Sequence, residues 1–278
     1  MRKIIRKVKG QRAVDGAGVK LVRVLGNQTV NDFDPILMLD SFDSYNPNDY
    51  TAGFPMHPHR GIETITFLKE GTMKHKDSLG NEDTINSGEV QWMTAGSGIL
   101  HEEQIPASER MLGVQIWLNM KSENKMNQPE YMKLSEENIP KIEIDGGYIR
   151  IISGTYKGNS GYESKYHPLK FYHIHLKKGN KFLVEENPGS SLMIFSLLGN
   201  ITVNKEYIEE KTAVKLSEEG NLEFESIEED CDILILGSDK IDEPVFWGGP
   251  IVMDTKEKLE KSFMELKNGD FIKERIDY

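Results

Sequence analysis

Gly53-Phe54-Pro55-Met56-His57-Pro58-His59-Arg60-Gly61-Ile62-Glu63 places two imidazoles one residue apart. In an extended segment alternate side chains leave the backbone on the same side. His57 and His59 therefore share a face. Glu63, Ile65 and Phe67 keep the same parity, which makes that face partly apolar and assigns it to a barrel interior. A second stretch, Thr94-Ala95-Gly96-Ser97-Gly98-Ile99-Leu100-His101-Glu102-Glu103, puts His101 and Glu103 in the same alternate relation after a glycine-rich turn. Two such pairs on adjoining strands can converge on one ion. Gly96-x-Gly98 is read as a tight turn before the His101 strand; no helix follows it, so a dinucleotide-binding loop is excluded.

Three imidazoles and one carboxylate leave one or two coordination positions open. Such a set suits Fe(II), Mn(II), Ni(II) or Cu(II). A closed structural zinc site is more often rich in thiolates, and the chain has one cysteine, Cys231. An open position in an apolar barrel admits a small organic ligand or O₂. The remaining histidines give no second site. His173-x-His175 is not followed by another His/Glu pair, and the place where the second half echoes the first motif, near Pro188-Gly189-Ser190-Ser191, holds no histidine. His173 and His175 are read as ordinary strand residues, His75 and His167 as surface residues, and the second half as metal-free.

Outward from these motifs, short β-like runs recur: Ile62–Leu68, Val90–Met93, Met111–Leu118, Tyr148–Ile152, Phe171–Leu176, Leu192–Leu198 and Ile233–Leu236. Glycine and asparagine turns separate them, a pattern of sandwiches or barrels. One helix is expected over Lys256–Lys267, where Leu259, Phe263 and Leu266 fall at helical spacing. Asp254 or Thr255 would cap it, and Asn268-Gly269 would stop it. A polar linker from about Asn119 to Pro140 divides the chain into two β-rich halves. The expected domains are 1–130, metal-binding, and 141–278, metal-free and carrying the helix.

The 278 residues carry a formal net charge of −11. Nucleic-acid binding draws on cations that displace counterions, so direct contact with DNA or RNA is not expected. No apolar run reaches the roughly 20 residues of a membrane helix. A lone cysteine suits a reducing compartment, and the basic N-terminus lacks the apolar segment of a secretory signal. These features place the chain in the cytoplasm; a monomer is expected because one chain supplies both of a pair of barrels.

The stretch His57-Pro58-His59-Arg60-Gly61, together with Gln91-Trp92-Met93-Thr94-Ala95-Gly96, Gly98-Ile99-Leu100-His101-Glu102-Glu103 and Gln115-Ile116-Trp117-Leu118-Asn119, resembles the pirin family. So does Glu243-Pro244-Val245-Phe246-Trp247-Gly248-Gly249-Pro250-Ile251-Val252-Met253 near the end. The resemblance implies an all-β chain of two stacked cupin (jelly-roll β-barrel) domains with a short C-terminal helix. It implies one mononuclear divalent metal, usually iron, held by His57, His59, His101 and Glu103; manganese, nickel, copper or zinc are alternatives. Two classes of function follow. The first is an Fe(II)-dependent dioxygenase of the quercetin 2,3-dioxygenase type, taking O₂ and a flavonol or similar enol-bearing aromatic. There Glu103 is a ligand, and either Glu103 or a metal-bound hydroxide is the base; Arg60 and Glu63 are candidates to orient the ligands, Glu63 being equally readable as a barrel-mouth residue with no catalytic role, and Gln115 bonds the substrate or lines the core. The second is a regulator whose metal modulates binding to a protein partner. The open ligand set has an obvious chemical use, which favours the enzyme.

Overall fold

The computed structural model describes residues 1–184 and 191–274. Among these the chain is overwhelmingly β, with one longer helix near the end. The Pro188–Ser190 part of the expected echo lies outside the described residues.

Contacts divide the chain into two compact units: Arg12–Glu136 with Ile241 onward, and Met1–Gln11 with Glu137–Lys240. Each contains a seven-stranded and a four-stranded antiparallel sheet. In the first, the larger sheet runs in the order Glu130–Leu134, Val90–Thr94, Ile62–Glu70, Met111–Asn119, Ile36–Ser44, Val19–Leu25, Gln11–Asp15. The smaller runs Phe54–His59, Ile99–Gln104, Thr72–Asp77, Glu82–Asn86. The second unit repeats the plan. Its larger sheet has Ser191–Leu198 and Cys231–Ser238 at the centre, and its smaller sheet runs from Lys181–Val184 to Glu206–Ile208. Both are jelly-roll barrels of the cupin kind, so the faint echo between the halves reflects a repeated architecture.

The strands form because their sequences alternate or run apolar in the way a half-buried or doubly buried strand requires. Thr72–Asp77 is a clean case: Met73, His75 and Asp77 are buried, while Lys74 and Lys76 are exposed. Within the first barrel, Phe42, Leu68 and Met111 of the larger sheet meet Met73 and Ile85 of the smaller. In the second, Ile151, Ile174 and Ile235 meet Ile201, Leu222 and Phe224. Each fully buried side chain of this size stabilises the fold by about 1.5–3 kcal/mol.

The ends of the chain depart from the expected division at 130 and 141. The N-terminal strand Ile4–Lys9 pairs with Thr212–Leu216 and so completes the second barrel. The C-terminal segment returns to the first: Arg60 and Ile251 form a bridge, and Val252 N–H donates to the Arg60 carbonyl. The expected linker is also partly structural. Glu130–Leu134 pairs with Val90–Thr94, and Lys125 is buried, donating to the Gly61 carbonyl, Asn119 Oδ1 and the Val252 carbonyl.

The helix spans Lys256–Asn268, capped by Thr255 Oγ1, which accepts from Lys258 N–H, and closed by Gly269 at φ 80°. Leu259 and Leu266 pack on Ile251, Met253 and Phe271. Phe263 stays 41% exposed, so the buried stripe is narrower than its spacing suggests. No helix among the described residues is long and apolar enough to cross a membrane.

Candidate metal centre

The strand Phe54–His59 pairs antiparallel with Ile99–Gln104, with His57 opposite His101. Directly opposed residues share a face, so the three imidazoles converge. His57 Nε2 lies 3.0 Å from His59 Nε2 and 3.0 Å from His101 Nε2. One nitrogen of each ring falls within 4.8 Å of the other two.

The far side of two of the rings fixes where their outer proton sits. His57 Nδ1 is 2.9 Å from the Pro55 carbonyl, and His59 Nδ1 is 3.1 Å from the Pro250 carbonyl. A carbonyl only accepts, so both rings carry their proton on Nδ1 and turn a bare Nε2 lone pair inward. Burial, then the neighbouring His57, pushes His59 down to about 3. Burial and the other rings hold His101 well below the usual histidine range. His59 and His101 are therefore neutral at physiological pH, the form that binds metal. Lone pairs facing each other at 3.0 Å repel unless a cation lies between them. That separation also matches two neighbouring donors each about 2.1 Å from one ion. The donor set fits a metal.

Glu103 lies outside the converging trio. Its carboxylate is buried and accepts from Gln115 Nε2 at 3.0 and 3.1 Å and from Gln91 Nε2 at 3.2 Å. Gln115 thus lines the cavity and holds Glu103 in place.

Two residues expected to orient the ligands do something else. Arg60 follows His59 directly, so alternation turns it to the opposite side. Its buried guanidinium donates to the Ser97 and Phe271 carbonyls, to Ser262 Oγ and to Glu265 at 2.8 Å, clamping the terminal helix. Glu63 was given the parity of His57 and His59, but Gly61 turns the chain between them at φ 76°. Glu63 opposes Leu118 and Thr94, one residue out of step with Trp117, which lines the cavity. It therefore faces away, where Oε1 accepts from Thr94 Oγ1 and Trp92 Nε1.

His75 is not a surface residue. It is 1% exposed, and its ring stacks on Tyr131 with centroids 4.3 Å apart. Its Nε2 lies 2.9 Å from Asp77 Oδ2 and its Nδ1 3.4 Å from His101 Nδ1. The sequence carried a signal for this: His75-x-Asp77 is another alternate pair, and it opposes Glu103 and His101 in register. His167 is also buried, with Nε2 2.7 Å from the Asp239 carbonyl. In the second barrel His173 and His175 both contact Asp232, at 2.7 and 3.2 Å.

The triad opens on a cavity of about 540 Å³ walled by Phe42, Phe54, Trp117 and Trp247. Trp117 meets His59 edge-on at 5.0 Å. At its rim Arg23 donates to both Asp40 oxygens at 2.9 and 2.7 Å and to Asp15 at 2.6 Å. No sequence motif marked this cluster. A larger hollow of about 810 Å³ lies in the second barrel around Tyr156 and Leu169, apart from the histidine triad.

Two family models match the chain: Pirin over residues 18–118 and the Pirin C-terminal cupin domain over residues 171–272. A pirin-like protein of Caulobacter vibrioides is 38% identical, with 98% of this chain and 99% of that protein covered. Human pirin is 32% identical, with 96% of this chain and 93% of that protein covered. The crystal structure of a quercetin 2,3-dioxygenase from Acinetobacter baumannii is similar at 32% identity and a TM-score of 0.89, with 98% of each chain covered.

Proposed function

The chain belongs to the pirin family, and from that premise we propose that it is a metal-dependent oxygenase of the quercetin 2,3-dioxygenase type, acting on a flavonol or similar enol-bearing aromatic. The observation that carries this reading is the convergence of three imidazoles, His57, His59 and His101, the first two of them on the wall of an aromatic-lined cavity. His57, His59 and His101 would hold the metal, iron(II) by preference, with Glu103 as a fourth donor from the His101 strand. When bound, such an ion supplies Lewis acidity toward a substrate hydroxyl and a route to O₂ chemistry.

The protein's own groups do the rest. Trp117 and Phe54 offer flat apolar walls to an aromatic ring. Glu103, kept in position by the Gln115 and Gln91 amides, takes the enol proton. At the rim two carboxylates face one guanidinium, so Arg23 has no unopposed charge for an acidic ligand. That balance supports a neutral substrate bearing hydroxyl donors over a carboxylic acid. The name carried by the Acinetobacter baumannii structure supports the same class.

The test is O₂ uptake with quercetin by anaerobically Fe(II)-loaded protein, with His101→Ala as control. Metal-dependent uptake lost in the variant is expected. Absence of uptake with iron bound overturns the quercetinase reading.

A further inference from the structure

His101 differs from its two partners in the triad. Backbone carbonyls fix the tautomers of His57 and His59, whereas the group behind His101 is another imidazole. An imidazole either donates or accepts at Nδ1, so it fixes nothing unless its own tautomer is set.

Asp77 sets it. Its Oδ1 accepts the backbone N–H groups of Leu79 and Asn81 at 2.9 and 3.1 Å. Its Oδ2 accepts from Asn81 Nδ2 and faces His75 Nε2, both at 2.9 Å. A carboxylate so placed only accepts, so His75 carries a proton on Nε2, and in its neutral form presents a bare Nδ1. That lone pair can only accept, so the proton of His101 sits on Nδ1 and His101 Nε2 is left free. The Tyr131 ring, stacked at an interplanar angle of 17°, keeps the His75 ring in plane for both contacts.

We propose that His75, oriented by Asp77, is a positioning residue for the metal centre: it holds His101 in the one tautomer that turns a lone pair toward the ion. The proposal rests on the reading of the triad as a metal site. Partners behind metal-binding histidines typically contribute 10–100-fold in metal affinity.

Asp77→Asn is the sharpest variant because it keeps size and shape. The two backbone N–H groups retain an oxygen, which places the new amide nitrogen against His75 Nε2. His75 must then protonate on Nδ1, opposite the His101 Nδ1–H, and His101 is driven to its Nε2–H form. The full chain, stripped of metal, would be examined in two ways. Nitrogen-15 NMR of the imidazoles reads the His101 tautomer, and Co(II) titration against a chelator reads affinity.

Nδ1–H in the wild type and Nε2–H in Asp77→Asn, with cobalt bound about 10–100-fold more weakly, is the expected result. An unchanged tautomer and affinity in a folded Asp77→Asn protein overturns the proposal. Should that variant not fold, His75→Phe, which keeps the Tyr131 stack, replaces it: unaltered affinity there overturns the proposal, and loss that His75→Gln partly restores supports it. If the wild type itself takes up no cobalt, the metal reading fails, and the tautomer measurement alone decides the role of His75.

Discussion

His59 Nδ1 donates to the Pro250 carbonyl at 3.1 Å, across 191 residues of sequence. A residue of the C-terminal segment thus fixes the protonation of a ring in the N-terminal motif. Lys125 and Gly61 keep that segment in place: Lys125 bonds both the Gly61 and the Val252 carbonyls, and Gly61 lets Val252 approach.

Substituting Gly61 tests that dependence. Gly61 has φ 76°, and a Cβ there would sit 2.1 Å from the Val252 carbonyl oxygen. Gly61→Ala should push the segment away and free the His59 tautomer. A loss of about 1–3 kcal/mol in urea unfolding is expected, together with weaker Co(II) binding. Wild-type cobalt affinity in this variant would separate the segment from the site.

Lys125 gives a pH dependence. Burial pushes its ammonium down to about 7, against about 10.4 in the unfolded chain. Between those values the unfolded state holds the extra proton, so stability rises with pH over that window and is lost as pH falls through about 7. The slope is at most about 1.4 kcal/mol per pH unit. Urea melts at pH 6.5 and 8.5 should show the wild type gaining on Lys125→Met as pH rises.

Glu63 titrates the other way. Burial raises its carboxyl, and Oε2 lacks a hydrogen-bond partner. Its folded value lies above the unfolded one, so its contribution is present below about 4.3 and lost as pH rises through the folded value. Glu63→Gln should therefore be more stable than wild type at pH 8, by about 1 kcal/mol or more. The difference should vanish near pH 4, and chemical denaturation at the two values measures it.

The rim predicts selectivity. Asp15→Asn removes one of the two carboxylates that oppose Arg23. Aromatic carboxylates should then bind about 5–10-fold more tightly, by about 1 kcal/mol, while neutral flavonols change little. Quenching of tryptophan fluorescence at low salt reads both ligands.

The triad was legible in the sequence because alternation holds within a single strand, and His57-x-His59 and His101-x-Glu103 each lie inside one. The same rule failed for Glu63 because its count ran through the Gly61 turn into another sheet. His75 was misread although Lys74 and Lys76 mark its strand as half-buried; the pattern is short, and the partner that gives it meaning, His101, is reached only through sheet pairing. Pro250 and Arg23 left no trace, since a backbone carbonyl has no sequence signature and the Arg23–Asp40 pairing depends on register between strands.

The exchanged ends have a consequence for synthesis. The strand that completes the second barrel is made first, and the segment that completes the first barrel is made last. A growing chain emerges N-terminal end first, so at the moment His57, His59 and His101 have all left the ribosome, the acceptor for His59 does not yet exist. The histidine trio gains its last backbone partner only after Pro250 has been added, so a chain interrupted between His101 and Pro250 carries all three rings without the carbonyl that sets the His59 tautomer.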